Sequence, residues 1–151
     1  MEIHFRNAKS EDAELLVDIY NASFYRDYLK YGECPGYGKT KEKMAQSIKN
    51  FPKWIILCDE KPVGAISVRS TGKGSYEVGC LCVIPEYQGK GIGTKALQYA
   101  LSYYDDWEKI TLATPADNTE NVGFYTKKCG FRIASEEVDG NVRLFRFVKE
   151  R

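Results

Sequence analysis

The chain holds one histidine, no block of basic residues, no apolar stretch long enough to span a bilayer and no internal repeat. Each absence removes a class of function. A Ser-His or Cys-His catalytic pair would have to use His4, which opens an expected edge strand with nothing beside it to activate. The 22 basic and 21 acidic residues leave a formal charge of +1, so neither nucleic acid nor a membrane is an expected partner. The N-terminus lacks the apolar core of a signal peptide. The cysteines (Cys34, Cys58, Cys80, Cys82, Cys129) are odd in number and scattered, which argues against a disulfide framework and for a reducing, cytoplasmic setting. Cys80 and Cys82 would point to one face of a strand, but no further Cys or His pair stands at ligand spacing. A buried structural role is therefore expected for them, and no metal.

What is present begins with length: 151 residues and 43% hydrophobic content suit a single domain over residues 1–151. The most informative stretch is Gln88-Gly89-Lys90-Gly91-Ile92-Gly93-Thr94, between a strand-like run and an amphipathic helical run. A helix that opens on glycines presents uncovered amides at its positive end, an arrangement that binds phosphate. The P-loop pattern fails because Gly93 is followed by Thr94 before Lys95. The dinucleotide fingerprint fails because Thr94 occupies the place of its third glycine. From the glycines alone, a tight turn without a ligand fits as well.

Along the chain, Ile3 to Arg6 reads as a strand, and Ser10 as the cap of a helix with Leu15, Leu16 and Ile19 on its apolar side. Residues 24–38, rich in tyrosine and glycine and holding Pro35, read as a long loop, after which Thr40 caps a second helix. Lys53 to Cys58, Val63 to Arg69 and Tyr76 to Ile84 read as an antiparallel meander, its first turn at Asp59-Glu60-Lys61-Pro62. The helix after the glycines leads to a strand at Lys109 to Ala113, forming a right-handed crossover. A helix over about 118–129 stops at Gly130, and a hairpin turning at Asp139-Gly140 closes the chain.

Leu81 to Gly93, with Gln88, Gly91 and Gly93 in a Gln/Arg-x-x-Gly-x-Gly/Ala core, resembles the acetyl-CoA-binding motif of the GNAT N-acetyltransferases. Asn118, Phe124-Tyr125 and Gly130-Phe131 resemble that family's next motif, in the same order. The resemblance covers essentially the whole chain. It implies an α+β fold with a mixed, mostly antiparallel sheet of about seven strands, about four flanking helices and a splayed strand pair at the acyl-CoA site. It also implies transfer of acetyl from acetyl-CoA to a primary amine, by direct attack in a ternary complex and without a metal.

Carried onto this chain, the resemblance puts the CoA pyrophosphate on Gln88, Gly89, Lys90, Gly91, Gly93 and Thr94. It puts the pantetheine arm on main-chain groups of Leu81 and Val83, with Asn118, and less securely Asn121, along the same arm. Tyr125 is the candidate acid for the departing thiolate: a free thiol has pKa about 8.5 and a phenol about 10. Its other reading is a helix-face tyrosine packed on the sheet. Glu77 is either the base, through water, or a strand carboxylate facing solvent. The acceptor, a small-molecule or protein amine, would meet segment 24–38, whose tyrosines and Glu33 either hold a cation or simply pack the loop. Edge strands and aromatic surface are compatible with a homodimer. Two other readings share the cofactor pocket: a CoA-binding regulatory domain without turnover, and an acyltransferase using another acyl chain or an oxygen acceptor.

Overall fold

A computed structural model describes residues 1–151. In chain order the elements are β1 (Ile3–Asn7), α1 (Ala13–Tyr31), α2 (Lys41–Asn50), β2 (Lys53–Cys58), β3 (Lys61–Gly72), β4 (Ser75–Val83), α3 (Ile92–Tyr103), β5 (Lys109–Pro115), α4 (Thr119–Gly123), β6 (Arg132–Asp139) and β7 (Val142–Glu150). The strands form one mixed seven-stranded sheet ordered β1-β2-β3-β4-β5-β7-β6, with β4 and β5 parallel. The pairs β1–β2, β2–β3, β5–β7 and β7–β6 are antiparallel. No helix is long and apolar enough to cross a membrane. The chain gathers into two compact units, Met1–Val68 with Cys80–Ala100, and Arg69–Gly79 with Leu101–Arg151.

In the first unit, β2 is buried on both sides from Lys53 to Ile56, as a strand covered on both faces must be. Leu16, Ile19 and Tyr20 of α1 and Met44 of α2 join this core. Ile92, Ala96, Leu97 and Ala100 of α3 recur at helical spacing and are buried too. Trp54 and Phe5 both meet the ring of Tyr99 on α3. The β2–β3 turn is shorter than the sequence suggests. Asp59 and Glu60 alone make it, at φ 49° and 69°, the paired left-handed conformation that suits a two-residue hairpin. The strand resumes at Lys61, so Lys61 and Pro62 belong to the ladder.

Helix α1 departs from expectation at both ends. Ser10 does not cap it; residues Ser10–Asp12 form a 3₁₀ turn. Asp12 anchors that turn, accepting from the Lys9 amide at 2.8 Å and from Arg6 Nη1 at 2.9 Å. At the other end the helix continues to Tyr31, so much of the expected loop is helical. It stops at Gly32, whose φ of 75° only glycine adopts readily and whose amide donates to the Tyr28 carbonyl at 2.9 Å. Thr40 caps α2 as the sequence indicates, accepting from the Lys43 amide at 3.1 Å.

The second unit packs α4 and its continuation against one face of β5 and β7. Ile110, Leu112 and Phe147 are buried there with Tyr125 and Phe131. The β6–β7 hairpin turns at Gly140, φ 62°.

The Arg6 guanidinium beside Asp12 holds its carboxyl below the ordinary range. A lowered folded value means the contribution is present above the ordinary carboxylate pKa of about 3.9 and is lost as pH falls through the depressed one. Asp12→Ala should therefore cost about 1 kcal/mol in urea unfolding at pH 7. The gap from wild type should close as the titration is repeated at progressively lower pH.

Candidate functional site

The glycine turn lies in the first unit. β4 ends at Val83, and the Ile84 amide donates to the Val63 carbonyl of β3 at 2.8 Å. A 3₁₀ turn over Pro85–Tyr87 follows. Gln88 then locks the bend: its amide donates to the Pro85 carbonyl at 3.2 Å, and its side-chain Nε2 to the Val83 carbonyl at 2.9 Å. The main-chain groups expected to be open at these two positions are thus partly engaged, the Gln88 N–H and the Val83 C=O both having protein partners.

Past Gln88 the backbone opens. Gly89 and Gly91 sit at φ 76° and 81°, and a Cβ on either would meet nothing within 4 Å. No internal packing therefore requires them. They provide a left-handed path and an uncovered surface. The first turn of α3 closes with the Lys95 amide on the Gly91 carbonyl at 3.2 Å. The amides of Ile92, Gly93 and Thr94 consequently precede the first intrahelical donor. No acidic residue stands in that first turn, so nothing opposes an anion at the positive end of the helix.

A glycine that sequence reasoning passed over supports the same region. A Cβ on Gly64 of β3 would lie 2.3 Å from the Cys82 carbonyl and 3.2 Å from the Val83 Cα. The signal was available, because a glycine inside a strand often marks a close backbone approach. Cys82 is buried and Cys80 half-buried, and nowhere does the chain gather three or more His, Cys, Asp or Glu side chains as a metal site. Lys53, also unremarked in the sequence, is a buried cation whose pKa is lowered by that burial.

In the second unit, the parallel ladder between β4 and β5 has three residue pairs, Ser75↔Lys109, Tyr76↔Ile110 and Glu77↔Thr111. β5 continues to pair with β7 as far as Pro115↔Leu144. Asn118 caps α4, its side-chain oxygen accepting from the Asn121 amide at 3.0 Å, while Asn121 Nδ2 donates to Thr114 Oγ1 at 3.2 Å. The helix then widens into a π turn over Phe124–Lys128, closed by the Cys129 amide on the Phe124 carbonyl at 3.2 Å. Such turns are rare and recur at functional sites. Tyr125 sits in it, its ring 5.9 Å from Phe131 and 5.6 Å from Phe147 between centroids, and its carbonyl accepts from the Phe131 amide at 3.0 Å.

Glu77 stands at the last β4–β5 pair and is held at both oxygens. Arg69 Nε donates to Oε1 at 2.8 Å and Arg146 Nη1 to Oε2 at 2.9 Å. Arg146 also grips Glu137 through Nε and Nη2. The Arg146 hydrogen bonds hold the Glu137 carboxyl below the ordinary range, and those to Glu137 and Glu77 raise the guanidinium further.

Residues 14–131 match the sequence profile of the Acetyltransferase (GNAT) family. A curated relative, the uncharacterized protein YrkN of Bacillus subtilis (strain 168), is 32% identical over 110 residues, 68% of this chain. The chain spans 58% of that relative's length. Among solved structures, PaiA N-acetyltransferase from Thermoplasma acidophilum in complex with coenzyme A superposes with a TM-score of 0.81 at 22% identity, covering 100% of both chains. An acetyltransferase from Thermus thermophilus gives 0.79 at 19% identity, covering 100% of this chain and 98% of its own.

The backbone contact at Gly64 makes a direct test of the turn's support. Gly64→Ala should cost about 1–3 kcal/mol in urea unfolding, as overpacking against a rigid main chain does. Unchanged stability would mean that β3 and β4 can separate without penalty.

Proposed function

The chain belongs to the Acetyltransferase (GNAT) family, and from that premise we propose that it transfers an acetyl group from acetyl-CoA to a primary amine. The observation that carries the reading is the open glycine turn at the head of α3, with amides ahead of the first intrahelical bond and no acid in the first turn. A pyrophosphate there would accept charge-assisted bonds from those amides, and the helix dipole adds roughly 0.3–1 kcal/mol. Gly89 and Gly91 let the anion approach without a Cβ in the way. Lys90, exposed on the same turn, adds a mobile positive charge. Thr94 adds an amide and a hydroxyl on the first turn of α3.

For the arm, Leu81 would contribute main-chain groups. Val83 is left with its N–H, since its carbonyl already accepts from Gln88. Asn118 uses its side-chain oxygen as a cap, which leaves its amide nitrogen to donate to a carbonyl of the arm.

Amine attack on the thioester expels a thiolate, and Tyr125 is the proton donor we assign to it. Aromatic packing on Phe131 and Phe147 restricts the ring, which supports a positioned proton donor. A positioned acid of this kind is worth about 10²–10⁴ in rate. Glu77 is read differently. Both its oxygens carry guanidinium donors, so taking a proton directly would mean giving up an ion pair. The acceptor amine, with an ordinary pKa near 10.4, then loses its proton to water before attack. The acceptor class is a primary amine on a small molecule or a protein.

Titration calorimetry of acetyl-CoA should give saturable binding that Gly91→Glu abolishes. A folded wild type that binds no acetyl-CoA would overturn the reading. With an amine that supports turnover, Tyr125→Phe should keep acetyl-CoA affinity and lose about 10²–10⁴ in kcat. Equal kcat in the two proteins would remove Tyr125 from the chemistry.

A further inference from the structure

We propose that β6 is a self-complementary edge through which two copies of the chain pair, antiparallel and about a two-fold axis at Glu136. β6 ends the strand order of the sheet and has β7 as its only neighbour. It runs for eight residues, Arg132–Asp139, all of them exposed except Glu137, which is half-buried. Its outer side therefore carries main-chain donors and acceptors that no strand of the same chain meets. Ile133 and Val138, large apolar side chains at 44% and 74% exposure, both stand on this strand. It has neither proline nor lysine, residues that commonly keep such edges apart.

A bulge makes the strand match itself. Ile133 stands opposite Phe147 and Ser135 opposite Arg146, so Ala134 is the extra residue, without a partner on β7. In a regular strand Ile133 and Val138, an odd number of residues apart, would point to opposite faces. The bulge shifts the count by one. Ile133 pairs with Phe147 and Val138 with Arg143, residues of equal parity on β7, so both lie on one face. Arg132 and Asp139, opposite Val148 and Val142, share the other face. With Ala134 set aside, the strand reads alike from either end about Glu136: Arg132 and Asp139 outermost, then Ile133 and Val138, then Ser135 and Glu137. Antiparallel pairing about a two-fold axis normal to the sheet requires matched residues to share a face, and these do. Arg132 of each copy then meets Asp139 of the other, and Ile133 meets Val138, pairs that favour a ladder.

The charges suit this register. Arg132 gives Nη2 to Glu150 at 2.6 Å, yet its side chain is 66% exposed and keeps Nε and Nη1 for a second carboxylate. No ion pair within the chain engages Asp139. The acids nearer the axis are matched already, Glu137 by Arg146 at 3.1 Å and Glu136 by Arg143 at 3.6 Å. The two Glu136 side chains at the axis therefore arrive with their own guanidinium groups, which offsets their mutual repulsion.

Sedimentation velocity over a concentration series tests the pairing. Wild type should show a reversible monomer–dimer equilibrium, because one strand pair is at the small end of stable interfaces. Asp139→Arg and Arg132→Glu each set like charges against each other twice, and each should weaken the dimer about tenfold. The double variant puts opposite charges back in exchanged places and should dimerise within about threefold of wild type. That recovery separates the interface from folding, since a chain unfolded by one change would not be repaired by the other. A wild type that stays monomeric throughout the series would overturn the proposal. So would a dimer that both single changes leave intact, or one that the double variant fails to restore.

Discussion

A parallel ladder that stops after three residue pairs is the constraint around which the rest is arranged. Main-chain polar groups that leave a ladder must find other partners or meet water or a ligand. Each unit answers in its own way. In the first, β4 is held from the β3 side, where the Ile84 amide reaches Val63 and Gly64 admits the Cys82 carbonyl at a distance no Cβ would tolerate. Gln88 then covers the last carbonyl of the strand with its own side chain. In the second, charged side chains take over at the level where backbone pairing ends, with Glu77 between Arg69 and Arg146.

The two helices that follow solve different problems with departures from regular geometry. α3 begins without a side-chain cap, because the residue whose carbonyl opens it is Gly91. Left-handed glycines take its place and give up conformational entropy for access. α4 begins with a conventional Asn118 cap but cannot remain an α-helix. Its widening to a π turn changes the angular position of the residues after Gly123, and Tyr125 comes to rest on Phe131 and Phe147. A regular helix would place that side chain elsewhere around its axis. Departures of this kind are retained where a side chain must be aimed.

The glycine turn was legible in the sequence because its physics is local, whereas the stretch from Asn118 to Phe131 was read through its family resemblance. Glycine and threonine each favour a conformation within a few residues, so the glycine turn before α3, the Thr40 cap and the hairpin at Gly140 could be placed before any contact was known. Helix α1 was misjudged from the same kind of signal. Tyrosines, Gly32 and Pro35 together suggest a loop, yet aromatic residues are only mildly unfavourable in a helix, and the break falls at the first glycine rather than the first tyrosine. Asp12 replaces Ser10 because Arg6 favours the carboxylate, a partnership across a strand and a turn. The Glu77–Arg146 pair joins residues 69 apart in sequence, and no residue pattern used in the sequence reading distinguishes the π turn at Phe124–Lys128 from an α-helical one. Neither leaves a local trace.

The tyrosines at the α1 end are engaged in packing contacts of their own. A ring attracts a cation through an open face. Tyr28 and Tyr37 instead turn faces toward each other, with centroids 4.4 Å apart and planes within 16°. The loop beneath is fixed to α1 as well, Gly38 donating to Asn21 and Gly36 lying where any Cβ would sit 2.5 Å from the Phe24 ring. These contacts occupy one face of each stacked ring and make the aromatic residues a clasp for the loop. Tyr25, half exposed beside Tyr37, is the ring of this group with the most surface left. Placing a cation between Tyr28 and Tyr37 would require the two rings to unstack, at a cost of about 0.5–1.5 kcal/mol beyond the area lost. An exposed ammonium gains about 0.5–1 kcal/mol from one ring, so opening the clasp for a single cation is close to neutral at best.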